Sequence, residues 1–127
     1  MIVVDTSVWI AAQRGRDPIT LKYLRELIAA DEVALALPVR AELRAGTSAV
    51  DRPRLLRGLS GLPVARPTDE TWCTVESWID AAAAKGQTFS QTDLLIAALA
   101  HELGALVWTL DQDFERLAAL GYVRLYG

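Results

Sequence analysis

The sequence predicts an α/β fold built on a mostly parallel, five-stranded sheet with helices on both faces. Two observations predict it. Short β-rich apolar runs alternate with stretches of helical periodicity along the chain, and five strands with intervening helices make a parallel, two-faced sheet the default. A third bounds its size: 127 residues, 52% hydrophobic and 23% charged, describe one domain whose core needs no disulfide or structural metal. No repeat, low-complexity segment or linker interrupts it.

The elements follow in order. Ile2–Val4 is a β-rich run, followed by a helical stretch through Ile10 to Gln13. The segment from Gly15 to Pro18 breaks it, and residues 19–30 carry Leu21, Leu24, Leu27 and Ile28 at helical spacing. Residues 33–37 predict a second strand. Pro38 suits the first turn of a helix that Gly46 ends. Residues 52–59 predict a short helix, and residues 62–65 a third strand between Gly61 and Pro67.

A longer helix is expected over residues 68–85, with Thr68 as N-cap and Gly86 past its end. In it Trp72, Val75, Trp78 and Ile79 recur at spacings of three and four, which marks them as core or interface. Ser90 opens another helix and Gly104 closes it. Residues 105–110 form the strongest strand signal, residues 114–120 a helix closed by Gly121, and residues 122–125 a fifth strand. Trp108, in a central strand, is expected in the core, and Trp9 could stack on a ligand near the end of the first strand.

Composition excludes several classes. No apolar run reaches the roughly 18 residues that span a membrane, and the chain opens directly on a strand without a basic leader, so a cytoplasmic protein is expected. Cys73 is the only cysteine and is expected as a small core residue of a reducing compartment. A net charge of −3 argues against a general nucleic-acid coat protein. It leaves room for an enzyme that neutralises phosphate locally with metal ions. Eleven of the 13 basic residues are arginine. Arg40, Arg44, Arg52, Arg54 and Arg57 cluster along the chain, and Arg14 and Arg16 add a basic loop. Each alone is most simply a solvated side chain, but together they could line a phosphate path.

The chemistry points to carboxylates. Asp5, Glu42, Asp93, Asp111 and Asp113 each fall at a strand end or within the first turns of a helix. In an open parallel sheet such places share the edge beyond the carboxyl ends of the strands, where sites form. Thr109 and Asp111, two apart, point to one face. Asp5 and Asp111 could simply cap the helices that follow. Ser90-x-x-Asp93 matches a capping box with Asp in place of Glu, and Glu42 could be an exposed helical residue. Asp93 resists the bland reading, because Leu94-Leu95-Ile96-Ala97-Ala98-Leu99-Ala100 predicts a buried helix. A carboxylate leading into it is costly unless paired or metal-bound, and neither lysine, Lys22 nor Lys85, lies near in sequence. An all-oxygen set favours Mg²⁺ or Mn²⁺ over zinc. His101, the lone histidine, is expected to pack or cap rather than ligate. Such a centre suits phosphodiester hydrolysis.

The order Asp5-Thr6-Ser7, Ala41-Glu42-Leu43-x-x-Gly46, Asp93-x-x-Ile96-Ala97-Ala98 and Thr109-x-Asp111-x-Asp113-Phe114 resembles the PIN domain, and more narrowly the VapC-type ribonuclease toxins of bacterial type II toxin–antitoxin modules. The resemblance covers the full chain, so one PIN domain over residues 1–127 is expected. It implies a Mg²⁺- or Mn²⁺-dependent endoribonuclease acting on structured RNA such as tRNA or rRNA, a homodimer, and a small antitoxin that covers the site. It implies Asp5 and Asp93 as main metal ligands, with Glu42 and Asp111 completing the acidic set. Thr6, Ser7 and Thr109 would support them through hydroxyl hydrogen bonds. Asp113 would either join the site or cap the helix carrying Phe114. Arg14, Arg40 and Arg44 are the candidate RNA contacts. Two other classes compete. A phosphorelay receiver would need an acidic pair after the first strand and a lysine after the last, and this chain has neither. A non-catalytic binding module on the same scaffold would not need intact acids.

Overall fold

The computed structural model describes residues 1–15 and 17–127, so the Arg16 part of the expected basic loop lies outside the described residues. In chain order, β1 (Ile2–Val4) leads into α1 (Thr6–Gln13) and α2 (Pro18–Ala29). Next, β2 (Val33–Ala36) leads into α3 (Leu37–Ala45) and α4 (Arg52–Leu59). Then β3 (Val64–Ala65) precedes α5 (Asp69–Ala84) and α6 (Gln91–Leu103), and β4 (Leu106–Trp108) precedes α7 (Asp113–Ala119). The strands form one parallel sheet in the order β3-β2-β1-β4. Every residue of β1 and β2 is buried although successive side chains point to opposite faces. Both faces are therefore covered, as strands apolar throughout require.

Local chemistry explains the boundaries that place the site. Thr68 and Thr71 form a reciprocal capping box at the start of α5. Ser90 Oγ accepts from the Asp93 amide at 3.1 Å and starts α6. Gly104, in the left-handed region at φ 63°, ends it. Between those caps Leu94 through Ala100 are all buried, so α6 is the core helix its continuous apolar run predicts. No helix among the described residues is long and apolar enough to cross a membrane.

Four expectations need correction. Among the described residues the sheet has four strands, not five. Residues 122–125 meet β4 only at a single parallel bridge between Leu125 and Val107, because the apolar residues there go into packing instead: Val123 is buried and Tyr122 stacks on Trp78 with centroids 4.4 Å apart. Cys73 is exposed, since α5 turns Thr71, Val75 and Ala82 inward and Cys73 lies across the helix from Thr71 and Val75. Trp72 and Ile79, on the flank of that inward face, are exposed, so of the two expectations for them the interface is the one left open, while Trp78 is half-buried. Trp9 is buried and its indole N–H donates to the Val4 carbonyl at 3.2 Å, so it packs in the core rather than facing a ligand. Trp108 is half-buried, tilted against Tyr126.

Candidate functional site

With β1 between β2 and β4, the chain leaves β1 for one side of the sheet and reaches β4 on the other. The carboxyl ends of β1 and β4 therefore flank the topological switch point. Asp5 stands there as the N-cap of α1, held to β4 by its amide, which donates to the Trp108 carbonyl at 2.8 Å. Its Oδ2 accepts from Ser7 Oγ at 2.7 Å, Thr109 Oγ1 at 2.9 Å and the Ser7 amide at 3.4 Å. The two hydroxyls accept in turn: Ser7 Oγ from the Leu110 amide at 3.0 Å, and Thr109 Oγ1 from the Asp111 amide at 2.9 Å. Each hydroxyl has one proton, and each aims it at Asp5. The buried carboxylate is thus anchored through one oxygen, and Oδ1 takes no part in that network.

Asp93, Asp111 and Asp113 bring carboxylate oxygens within 4.8 Å of one another. Asp93 comes from the first turn of α6, Asp111 from the loop after β4, and Asp113 from the start of α7. Burial pushes the half-buried Asp93 carboxyl up to about 6, helped by repulsion from Asp111 and then from Asp5 and Asp113, against a lowering hydrogen bond from Ser90. Asp5 is thus coupled to the cluster through its field. Of the capping readings, Asp5 does cap α1; Asp111 stands one residue before the N-cap of α7, its Oδ1 accepting from the Asp113 amide at 2.9 Å, and at α6 Ser90 caps without a reciprocal bond from Asp93. Capping accounts for a single oxygen of Asp5 and of Asp111, and leaves the repulsion at Asp93 without compensation.

These residues fit a hard divalent cation. The donors are all carboxylate oxygens. One carboxylate oxygen from each of Asp93, Asp111 and Asp113 lies within 4.8 Å of the other two, so side-chain rotation could bring all three to a single ion. A cation would also offset the burial and the acid repulsion that together raise Asp93.

The other candidate residues are placed as follows. Glu42 is exposed on α3 and accepts from Thr6 Oγ1 at 2.7 Å, which ties α3 to the start of α1. It lies outside the three-acid cluster. Arg14 is exposed at the end of α1, while Arg40 and Arg44 sit one turn apart on α3. Arg52 is a structural clasp, its Nε donating to the Arg44 and Thr47 carbonyls at 3.0 Å. His101 is exposed at the far end of α6, edge-on to Trp78, outside the acidic cluster. One residue escaped the sequence reading: Arg116, whose Nη2 lies 3.1 Å from Asp113 Oδ1, the only ion pair among the described residues. Its helical i,i+3 spacing from Asp113 was the available signal.

A family model described as PIN domain matches residues 2–120. The chain is 34% identical over 122 residues to Ribonuclease VapC18 of Mycobacterium tuberculosis, covering 92% of this chain and 87% of that protein. Among solved structures it is similar to VapBC2 from Rickettsia felis bound to a DNA fragment from its promoter. There the TM-score is 0.80 at 21% identity, covering 99% of this chain and 98% of the other. It is also similar to VapBC-5 from Mycobacterium tuberculosis, a member of the VapBC family of toxin-antitoxin systems, with a TM-score of 0.70, 27% identity, and 97% and 94% of the two chains covered.

Proposed function

The chain belongs to the PIN domain family, and from that premise we propose that it is a metal-dependent endoribonuclease, the toxin of a type II toxin–antitoxin pair. The carrying observation is the convergence of Asp93, Asp111 and Asp113 at the switch point, with Asp5 anchored beside them. The substrate in this reading is structured RNA such as tRNA or rRNA. The ion is Mg²⁺ or Mn²⁺, the working form is a homodimer in the cytoplasm, and a cognate antitoxin restrains it.

Asp5 and Asp93 are the principal metal ligands, with Asp111 and Asp113 adjoining them. When bound, the cation lowers the pKa of a coordinated water and offsets charge on the phosphate and the leaving oxygen. The chain's own residues then do the positioning. Ser7 and Thr109 fix Asp5 through Oδ2, which leaves Oδ1 for the cation. Ser90 fixes the turn that carries Asp93. Thr6, next to Asp5 in the chain, holds Glu42 by a hydrogen bond of 2.7 Å, and Glu42 completes the acidic set with Asp111, for a second metal or for the attacking water. Arg14, Arg40 and Arg44 contact the RNA backbone, as forked cations suited to phosphate.

The test treats total bacterial RNA with purified, antitoxin-free protein in Mg²⁺ or Mn²⁺ and maps new 5′ ends by sequencing. New ends are expected, lost both with EDTA and in Asp93→Asn. Intact RNA from a folded, metal-loaded protein would leave the binding-module reading instead.

A further inference from the structure

We propose that Arg116 is a positioning residue of the acidic site: its guanidinium ties the start of α7 to Thr88 and Phe89, just before the Ser90 cap, and so sets where Asp113 and Asp111 stand relative to Asp93. The geometry of this clasp is independent of the metal reading above, but its consequence for cation binding rests on that reading.

One side chain makes three contacts. Arg116 Nη2 lies 3.1 Å from Asp113 Oδ1 and 3.4 Å from the Thr88 carbonyl oxygen, and the guanidinium carbon lies 4.4 Å from the centre of the Phe89 ring. The residue after Phe89 is Ser90, which caps α6 by accepting from the Asp93 amide. Arg116 therefore spans the two segments that deliver the acids: the start of α7, and the strip of chain that ends at the cap of the Asp93 helix. Asp111 is drawn into the same frame, because its Oδ1 accepts from the Asp113 amide.

The chemistry suits arginine. A planar guanidinium stacks on an aromatic face while donating from its edge, and an ammonium cannot do both. The ion pair is about half exposed on each side, 45% and 51%, and pairs that open to water add little stability. The value of the contact is thus geometric. Loss of a residue that orients a metal-binding side chain typically costs about 10–100-fold in metal affinity or activity.

Two measurements test this on the full chain: hydrogen exchange over residues 88–93 in metal-free protein, and Mn²⁺ affinity by titration calorimetry. The variants are Arg116→Met, Arg116→Lys and Phe89→Leu. Arg116→Met is expected to speed exchange over residues 88–93 and to weaken Mn²⁺ binding roughly tenfold. Arg116→Lys should recover part of the affinity, and Phe89→Leu, which alters no charge, should lose part of it; Phe89→Leu also carries the test if Arg116→Met fails to fold. Unchanged exchange overturns the proposal. So does unchanged or tighter Mn²⁺ binding, since a mere counter-ion to Asp113 would release the site when removed. A raised KM for RNA with unaltered Mn²⁺ affinity also overturns it, in favour of a direct substrate contact. Should the natural protein take up no Mn²⁺, the metal reading fails and exchange alone decides the clasp.

Discussion

Asp93 combines two demands that oppose each other in the absence of a cation. Its amide must join the first turn of a buried helix, and its carboxyl must sit among other acids. Its folded-state pKa of about 6 lies above the ordinary 3.8. Between those values the folded chain holds the extra proton, so this residue's contribution to stability is lost as pH rises through that window. The full shift would amount to about 3 kcal/mol, and solvent screening of a half-exposed group reduces it to about 1 kcal/mol. Asp93→Asn is therefore expected to raise the melting temperature of metal-free protein by about 4 °C at pH 7, and to change it little near pH 4. Equal melting temperatures at pH 7 would show that neither burial nor the neighbouring acids strain the Asp93 carboxylate.

The link between β1, α1 and β4 is a hydroxyl network rather than an ion pair. Thr109 donates to Asp5 and accepts from the Asp111 amide, so one side chain aligns two acid-bearing segments. Thr109→Val keeps the shape and removes the hydroxyl, and should cost about 1–3 kcal/mol by leaving polar partners unsatisfied. Thr109→Ser should recover most of it. Urea midpoints measure both, and a Val variant as stable as the parent would remove the network from the account. At this scale the sequence was most readable where signals are local. Thr68, Ser90 and Gly104 mark helix ends through chemistry confined to a few neighbours, and the apolar run from Leu94 to Ala100 announces its own burial. Less readable was anything decided by a distant partner. The apolar character of Tyr122 and Val123 suits a strand as well as packing, and the choice rests with Trp78, more than forty residues away. Cys73 was misplaced because composition says nothing about which side of α5 faces inward.

Across the whole molecule, the strand order β3-β2-β1-β4 is what turns scattered acids into a site. Asp5 and Asp111 are over a hundred residues apart in sequence, yet they leave adjacent strands at the same edge. The sequence showed that strand-end acids existed and that a parallel sheet would place them on one side. It could not rank them. The structure groups Asp113 with Asp93 and Asp111, joins Asp5 to them through its field, and sets Glu42 apart with Thr6. The arginine that clasps Asp113 emerged only in three dimensions, since Thr88 and Phe89 are remote from it along the chain. On the proposed reading, this edge of the sheet holds the divalent ion. A crystal grown with Mn²⁺ tests it most directly, through an anomalous difference map. A peak enclosed by Asp5, Asp93, Asp111 and Asp113 is the predicted result, and a fully Mn²⁺-soaked crystal with its only peaks elsewhere would contradict it.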